Sequence, residues 1–412
     1  MRSFEHDRHV APGPLRLLVL SNLYPPAVRG GYEVECHGVV EHLRRAHDVT
    51  VVTSTEGDGD EPHVRRLLPW SEDTRAGVLR APLASLRATR VVARVLDDVR
   101  PELIWVWNGA GVPYVALRDL HRSGIPVAYR VCEHWFGGIY DKDLLLRFVL
   151  GDGAGHGAWA RVARAANRLP PLRVRADEPA APTAVSWNSR YLRDAVGVPP
   201  ALRAVYEEVV HPVTAGADAM DGIPRTPADP PEVVFVGRLE AQKGPDVAVR
   251  ALAELRGRHG LDARLVVVGG GDETLVTATA AELGVAGHVE LTGPLHGAEL
   301  HARLSRTSAW VIPSVWDEPA GTVCIEAALA RVPAVAARVG GIPEILHDEE
   351  HALLFERGDD AGCADQLART LRGDGVAART ERAYARGREL AHGPYLAAMD
   401  GFLAAAVAAL SA

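Results

Sequence analysis

The feature that most constrains this chain is a repeated alternation. Short apolar runs are followed by turn-rich loops and then by segments of helical periodicity. Strands are expected over 15–21, 48–53, 103–107, 126–131 and 183–187, with helices over 32–46, 85–99, 112–123 and 189–195. Alternation of this kind builds parallel sheets with helices on both faces. Composition then shifts over 212–231, where Pro212, Pro224, Pro227, Pro230 and Pro231 gather among Gly, Ala and Asp. After that stretch the alternation restarts. Strands are expected over 232–236, 263–268, 289–291, 309–312 and 334–336, helices over 245–258, 273–283, 298–305 and 321–330, and a helical tail from 359.

A chain of 412 residues has room for two or three domains at roughly 100–200 residues each. The expected fold is α/β: two tandem doubly wound Rossmann-like domains with an interdomain cleft and a helical C-terminal tail. The expected boundaries are an N-terminal domain over 1–212, a linker over 213–231, a C-terminal domain over 232–375, and helices over 376–412 packing back on the N-terminal domain. Such sheets bind ligands at the carboxyl ends of their strands.

Composition excludes several classes. With 47% hydrophobic and 24% charged residues, the chain reads as globular, not disordered. No unbroken run of apolar residues is long enough to suggest a membrane-spanning helix. The apolar run 15–20 follows a polar N-terminus and is too short for a signal peptide core. Cys36, Cys132, Cys324 and Cys363 form no Cys-x2-Cys pair, so neither a zinc site nor a disulfide framework is expected, and reduced thiols fit the cytoplasm. A net charge of -8 argues against a nucleic-acid partner. Of the 45 basic residues only Lys142 and Lys243 are lysines, which makes their placement informative.

Three segments carry candidate chemistry. In Pro313-Ser-Val-Trp-Asp-Glu-Pro-Ala-Gly-Thr-Val-Cys-Ile-Glu326 a strand runs into a loop and a helix. Glu318 precedes the helix, and Glu326 lies within an apolar helical run. A buried carboxylate needs hydrogen-bond partners, and two ribose hydroxyls would supply them. Backbone N–H groups at Ala320, Gly321 and Thr322 would form an anion site at the helix start. In Val233-Val-Phe-Val-Gly-Arg-Leu-Glu-Ala-Gln-Lys-Gly244, Arg238 and Lys243 stand on one strand-end loop with Gly237, where Arg can clamp phosphate and Lys adds a point charge. Gly30 and Gly31, after the first strand, permit close backbone approach to a ligand. Gly269 and Pro294 follow two further strands at the same edge, and Gly340-Gly341-Ile-Pro-Glu344 is another glycine turn. Neither Gly-x-Gly-x-x-Gly nor a Walker A loop occurs at a strand-to-helix junction.

In order and spacing these segments, together with His47-Asp-Val-Thr-Val-Val-Thr53 and Glu318-x7-Glu326, resemble the retaining glycosyltransferases of family 4, of GT-B fold, over most of the chain. The resemblance implies transfer of a sugar from a nucleotide-diphosphate donor to a hydroxyl acceptor. Arg238 and Lys243 would hold the diphosphate, Glu326 the ribose, and Glu318 the donor sugar. Gly30, Gly31, Gly237, Gly269, Pro294, Ala320, Gly321 and Thr322 would line the nucleotide. It also implies attack from the face the leaving phosphate departs. UDP is the expected carrier, being the commonest in the family. No metal or other cofactor is expected, because no acidic cluster has ligand spacing. The acceptor is expected to be a small metabolite such as an antibiotic precursor, or a cell-envelope glycan or lipid.

Two positions depart from the family. Ala320 stands where an aromatic is usual, and Cys132-Glu-His-Trp135 replaces His-Asp. The acceptor-side residue is therefore His134 or Glu133, with Trp135 and Phe136 expected to offer flat apolar surface and Gly137-Gly138 close approach. The segment 156–175 sets Arg161, Arg164 and Arg168 on one helical face beside Trp159 and Val162, with no acid among them. Such a stripe is either a solvated face or a peripheral contact with an anionic membrane or acceptor, which would put a cytoplasmic protein at the inner membrane face. A sugar-nucleotide epimerase of the same fold and a non-catalytic nucleotide-sugar-binding paralogue are the alternatives.

Overall fold

The computed structural model describes residues 13–59, 61–70, 74–141, 143–150, 157–175, 178–213 and 216–412. Lys142, His156 and residues 214–215 of the expected linker lie outside the described residues. Contacts divide the chain into Met1–Val210 with Leu396–Ala412 as unit 1, and His211–Tyr395 as unit 2.

Unit 1 holds strands β1 (Arg16–Ser21), β2 (Asp48–Ser54), β3 (Val64–Leu68), β4 (Leu103–Asn108), β5 (Val127–Val131), β6 (Ala181–Trp187) and β7 (Leu202–Val209). They form one sheet in the order β3-β2-β1-β4-β5-β6-β7, and every pairing is parallel. Helices α1 (Gly31–Leu43), α2 (Arg75–Val99), α3 (Tyr114–Arg122), α4 (Ala158–Asn167) and α5 (Arg190–Val196) connect them. Unit 2 repeats the plan with β8 (Glu232–Val236), β9 (Arg264–Val268), β10 (Val289–Gly293), β11 (Thr307–Ile312), β12 (Ala334–Ala337) and β13 (Leu353–Phe355). Their order is β10-β9-β8-β11-β12-β13. Its helices are α6 (Pro245–Gly257), α7 (Thr274–Glu282), α8 (Gly297–Arg306), α9 (Val323–Leu329), α10 (Ile342–Ile345), α11 (Asp360–Leu371) and α12 (Val376–Glu389).

The central strands are apolar on both faces because helices cover both; every residue of β4, Leu-Ile-Trp-Val-Trp-Asn, is buried. In each sheet the strand order reverses at one point, between β1 and β4 and between β8 and β11. Loops diverge there and leave a crevice at the carboxyl edge.

Several boundaries differ from the sequence expectation. α2 starts at Arg75 instead of 85, capped by Thr74, whose Oγ1 accepts the Gly77 N–H at 3.1 Å. It runs through Pro82. Residues 211–231 belong to unit 2. So does α12, which packs on α9 so closely that a Cβ at Gly387 would lie 3.0 Å from the Ala328 Cβ. From Leu396 the chain belongs to unit 1. There α13 (His392–Ser411) sets Phe402 against Trp105 and Tyr206, and Asp400 pairs with His42 at 2.8 Å. By length and composition α13 is apolar enough to cross a membrane, a property the residue-run test missed because Asp400 and two glycines interrupt it. Phe402, fully buried, anchors this helix on unit 1.

His121, on α3, has its Nε2 2.8 Å from the Tyr129 hydroxyl, and burial pushes its pKa down to about 4. An unfolded imidazole titrates near 6.5. The unfolded chain thus takes up this proton first as pH falls, so the stability is complete above about 6.5 and is lost progressively toward 4. Between neutral pH and pH 5 the expected loss is about 2 kcal/mol. His121→Gln, which keeps the contact to Tyr129 without the titration, should flatten that part of the urea-stability profile. An unchanged profile would remove His121 as its cause.

Candidate active site

The crevice of unit 2 gathers the residues singled out by sequence at the carboxyl ends of its strands. After β8, Gly237 to Gly244 form a loop that turns into α6. After β11, Pro313 to Thr322 form a second loop that enters α9. The two loops are clamped together. The Val315 N–H donates to Gln242 O at 2.9 Å, and Gly244, at φ +65, sits where a Cβ would lie 2.1 Å from Pro313 O. No other residue fits that turn.

The clamp brings Lys243 onto Glu318, with Nζ 2.7 Å from Oε1. The Ser314 hydroxyl donates to the same oxygen at 2.6 Å. Glu318 and Ser314 are buried, whereas Lys243 is half-buried, its ammonium 5.8 Å from the centre of the Trp316 ring. Among the described residues Oε2 of Glu318 has no hydrogen-bond partner. A lysine ammonium has three donors, so Lys243 can hold Glu318 and still donate to an incoming anion.

The backbone of Glu318 is fixed from behind. Its carbonyl accepts the Gly341 N–H at 2.8 Å. Gly340, at φ +52, lies so close that a Cβ would come within 2.0 Å of the Glu318 carbonyl oxygen. The Gly340-Gly341 turn therefore serves as the seat of Glu318. Asp317 beside it pairs with Arg357, just after β13.

Beyond Glu318 the chain differs from expectation. α9 begins at Val323, two residues later than expected, because Gly321 takes a left-handed φ of +71. The N–H groups of Ala320, Gly321 and Thr322 donate to no acceptor among the described residues. Glu326 sits in the first turn of α9 and is half-buried, not buried as its apolar neighbours suggested. The Cys324 thiol is fully buried, and its pKa is raised first by burial and then by Glu318 and Glu326, which flank it.

Arg238 is not brought onto Lys243. It stands exposed on the rim, with Nη1 2.6 Å from Glu240 Oε1. Gly237 and Gly269 lie in the floor of the strand ends. The Gly237 N–H donates to Val268 O and the Gly269 N–H to Gly293 O, both at 3.0 Å. Pro294 follows, exposed.

Unit 1 has its own crevice at the β1–β4 reversal. Gly30 caps α1, and its N–H donates to Glu33 Oε2 at 2.8 Å; Gly31 is the first helical residue. Glu33 is fully buried, and its Oε1 has no partner among the described residues. The Tyr32 hydroxyl reaches Asn22 Oδ1 at 3.3 Å, and its pKa is raised by burial, then by Glu33 and Glu133. Asn22 donates to Ala110 O at 2.9 Å, and Asn108 Oδ1 accepts the Ala110 N–H at 2.8 Å. Glu133 is half-buried, and its charge reaches the Tyr32 hydroxyl. His134 is exposed, its ring edge-on to Tyr191 with centroids 6.3 Å apart.

Trp135 and Phe136 are not a sugar platform. They are 5% and 0% exposed and pack against each other, with Phe136 on Tyr129 and Trp187. A Cβ at Gly137 would meet Val196 O at 2.8 Å, so its close approach is to α5.

Sequence reasoning named neither Ser314 nor Tyr32 as a site residue. Ser314 had a legible signal, a hydroxyl four residues before Glu318. Among the described residues one group of metal-ligand types occurs, His347, Glu350 and His351, with donor atoms within 4.8 Å of one another. Its atoms are engaged in their own loop: His351 Nδ1 accepts the His347 N–H at 3.2 Å, and His347 Nδ1 lies 3.3 Å from Glu350 Oε2.

Residues 218–389, nearly all of unit 2, match the family described as Glycosyl transferases group 1. The match lies within unit 2 and covers less than half of the chain. It is 39% identical over 154 residues to a D-inositol 3-phosphate glycosyltransferase of Acidothermus cellulolyticus, a match covering 35% of this chain and 34% of that one. The chain thus spans about a third of that relative's length. A GDP-mannose-dependent alpha-(1-6)-phosphatidylinositol monomannoside mannosyltransferase of Mycolicibacterium smegmatis is 29% identical over 352 residues, 81% of this chain and 83% of that one. In fold, the sucrose-phosphate synthase of Thermosynechococcus elongatus superposes with a TM-score of 0.67 at 20% identity, over 95% of this chain and 98% of that chain.

Proposed function

We propose that this protein transfers a sugar, with retention of configuration, from a nucleoside diphosphate to a hydroxyl acceptor. The observation that carries the reading is the Lys243–Glu318–Ser314 cluster at the strand-order reversal of a group 1 unit. As the glycosidic bond breaks, charge develops on the leaving diphosphate. The Lys243 ammonium and the N–H groups of Ala320, Gly321 and Thr322, which donate to no acceptor among the described residues, neutralise it in place, and the Arg238 guanidinium adds charge once it leaves Glu240. The proposed chemistry needs no metal, and activity should survive a chelator.

Uridine is the proposed base, with guanosine the competitor named by the relative matched over 352 residues. Both relatives act on inositol-containing acceptors by name, which supports a phosphorylated cyclitol here, free or lipid-borne. On the acceptor side we assign Glu133, whose charge reaches the Tyr32 hydroxyl, ahead of the exposed His134.

The test is incubation with UDP- and GDP-sugars and an inositol phosphate, reading product and anomeric configuration by NMR. Retained transfer supports the proposal. An epimerised sugar without transfer, or binding without turnover, replaces it with one of the two alternatives. A second expectation separates the carboxylates. Glu326→Ala should weaken binding of the free nucleoside diphosphate about tenfold, as loss of charged hydrogen bonds does. Glu318→Ala should leave that binding near wild type and cut transfer. The opposite pattern in calorimetry would exchange their roles.

A further inference from the structure

We propose that the outer surface of α2 and α4 docks unit 1 onto an anionic phospholipid bilayer. Both helices bury their inner faces in one core. Ala81, Ala88, Val92 and Val95 of α2 and Ala163 and Ala166 of α4 join the same cluster as Leu18, Leu20, Ile104 and Val106. Those strand residues alternate, so they lie on one face of the sheet, and the two helices cover that face together. Their outward stripes therefore look away from the sheet on the same side.

The outward stripes are unusual for this chain. Among the described residues eight large hydrophobics are exposed. Five of them are here: Leu79 and Leu83 on α2, Trp159 and Val162 on α4, and Leu169 just beyond. Residues 74–96 and 157–175 contain arginines but not one Asp or Glu, in a chain of net charge -8. Along α2 the exposed positions 79, 83, 87, 90 and 94 follow helical spacing, so the apolar end of the stripe continues into Arg87, Arg90 and Arg94.

Exposed arginines of this face lack acidic partners among the described residues. Arg80, Arg87, Arg90, Arg94, Arg161 and Arg168 are exposed and form no ion pair among the described residues. In unit 2, Arg250, Arg258, Arg338, Arg369 and Arg388 each hold an acid within 4.0 Å. Unpaired guanidiniums interleaved with Trp and Leu suit a bilayer interface, where apolar side chains enter the headgroup boundary and the cations meet phosphate. An acidic protein would satisfy the charge and leave Leu79, Leu83, Trp159 and Val162 without a use.

The inference rests on this face and not on the proposed transfer activity. The full chain is sedimented with vesicles of phosphatidylcholine alone and of equal parts phosphatidylcholine and phosphatidylglycerol. Binding is expected to the anionic vesicles only, and to be lost in about 1 M salt, where charges are screened beyond roughly 3 Å. Arg87→Glu with Arg168→Glu, and separately Leu79→Ser with Trp159→Ser, should each reduce it about tenfold or more, with melting temperature and donor turnover unchanged. Wild-type protein that ignores anionic vesicles overturns the proposal. So does binding that both variants retain, or retention on polyglutamate without vesicle binding. A chain that transfers no sugar yet sediments as expected leaves this inference standing and removes only the proposed function.

Discussion

Lys243→Ala is expected to lower turnover by about 10²-fold or more, the loss typical when a fixed stabiliser of developing charge is removed. Lys243 lies 2.7 Å from Glu318 Oε1, so the substitution has two separable consequences. It withdraws positive charge from the leaving diphosphate, and it leaves the carboxylate of Glu318 held by the Ser314 hydroxyl and facing an anion. A double-mutant cycle with Glu318→Gln distinguishes them. If Lys243 serves chiefly to neutralise Glu318, the double variant should recover most of what Lys243→Ala loses. If it acts on the diphosphate, the double variant should be no better than the single one. Arg238→Ala is expected to cost less, because Arg238 stands on the rim in an exposed pair with Glu240 and must exchange that partner for phosphate. Turnover and melting temperature are measured on one preparation. A folded Lys243→Ala protein with wild-type turnover would remove Lys243 from the chemistry.

The sequence was most legible where strands are central. β1, β2, β4, β5, β8, β9, β11 and β12 are flanked by strands on both sides and covered by helices, so they read as apolar runs. The three strands that went unread, β3, β7 and β13, all lie at sheet edges. Val-Arg-Arg-Leu-Leu and Leu-Arg-Ala-Val-Tyr-Glu-Glu-Val carry charge because an edge is partly solvated, and Leu353–Phe355 is only 3 residues long. Short and charged edge strands prevent pairing with other chains, and the same properties weaken their sequence signal.

The site was legible residue by residue but not as contacts. Position at a strand end places Lys243 and Glu318 at the carboxyl edge, yet they are 75 residues apart. Their meeting depends on Gly244 and Gly340 allowing loops to pass where a Cβ would collide. The aromatic pair Trp135-Phe136 was misread for a related reason. Following a strand end does not fix the direction of a side chain, and these two fold back under the sheet.

Arg130→Ala is expected to destabilise unit 1 by about 3–5 kcal/mol, the range for removing one partner of a buried ion pair. Arg130 lies on β5 and is 0% exposed. Its Nη2 donates to Glu35 Oε1 at 2.8 Å, and its Nη1 donates to the Ser186 hydroxyl, Trp187 O and Val210 O at 3.0, 3.2 and 2.8 Å. The guanidinium thus ties α1, β5, β6 and the end of β7 through one side chain. Removing it takes the counter-charge from the buried Glu35 carboxylate and a donor from the Val210 carbonyl, while the Trp187 carbonyl keeps the Val210 N–H at 2.8 Å. Glu35→Gln should cost less, because the amide still accepts from Arg130, although a buried cation then lacks its counter-charge. Arg130→Met with Glu35→Leu should be milder than the sum of the single changes, since no charge is left buried, but the Val210 carbonyl loses its Arg130 donor and keeps it below wild type. Glu35 is two residues after Glu33 on α1, so the loss should also loosen the Gly30–Glu33 turn and weaken the unit 1 crevice. Urea unfolding followed by circular dichroism reads the result. The expected signature is an earlier transition for unit 1 with that of unit 2 unmoved, and a shift of less than about 1 kcal/mol would mean that Arg130 is an incidental tenant of the core and not its tie.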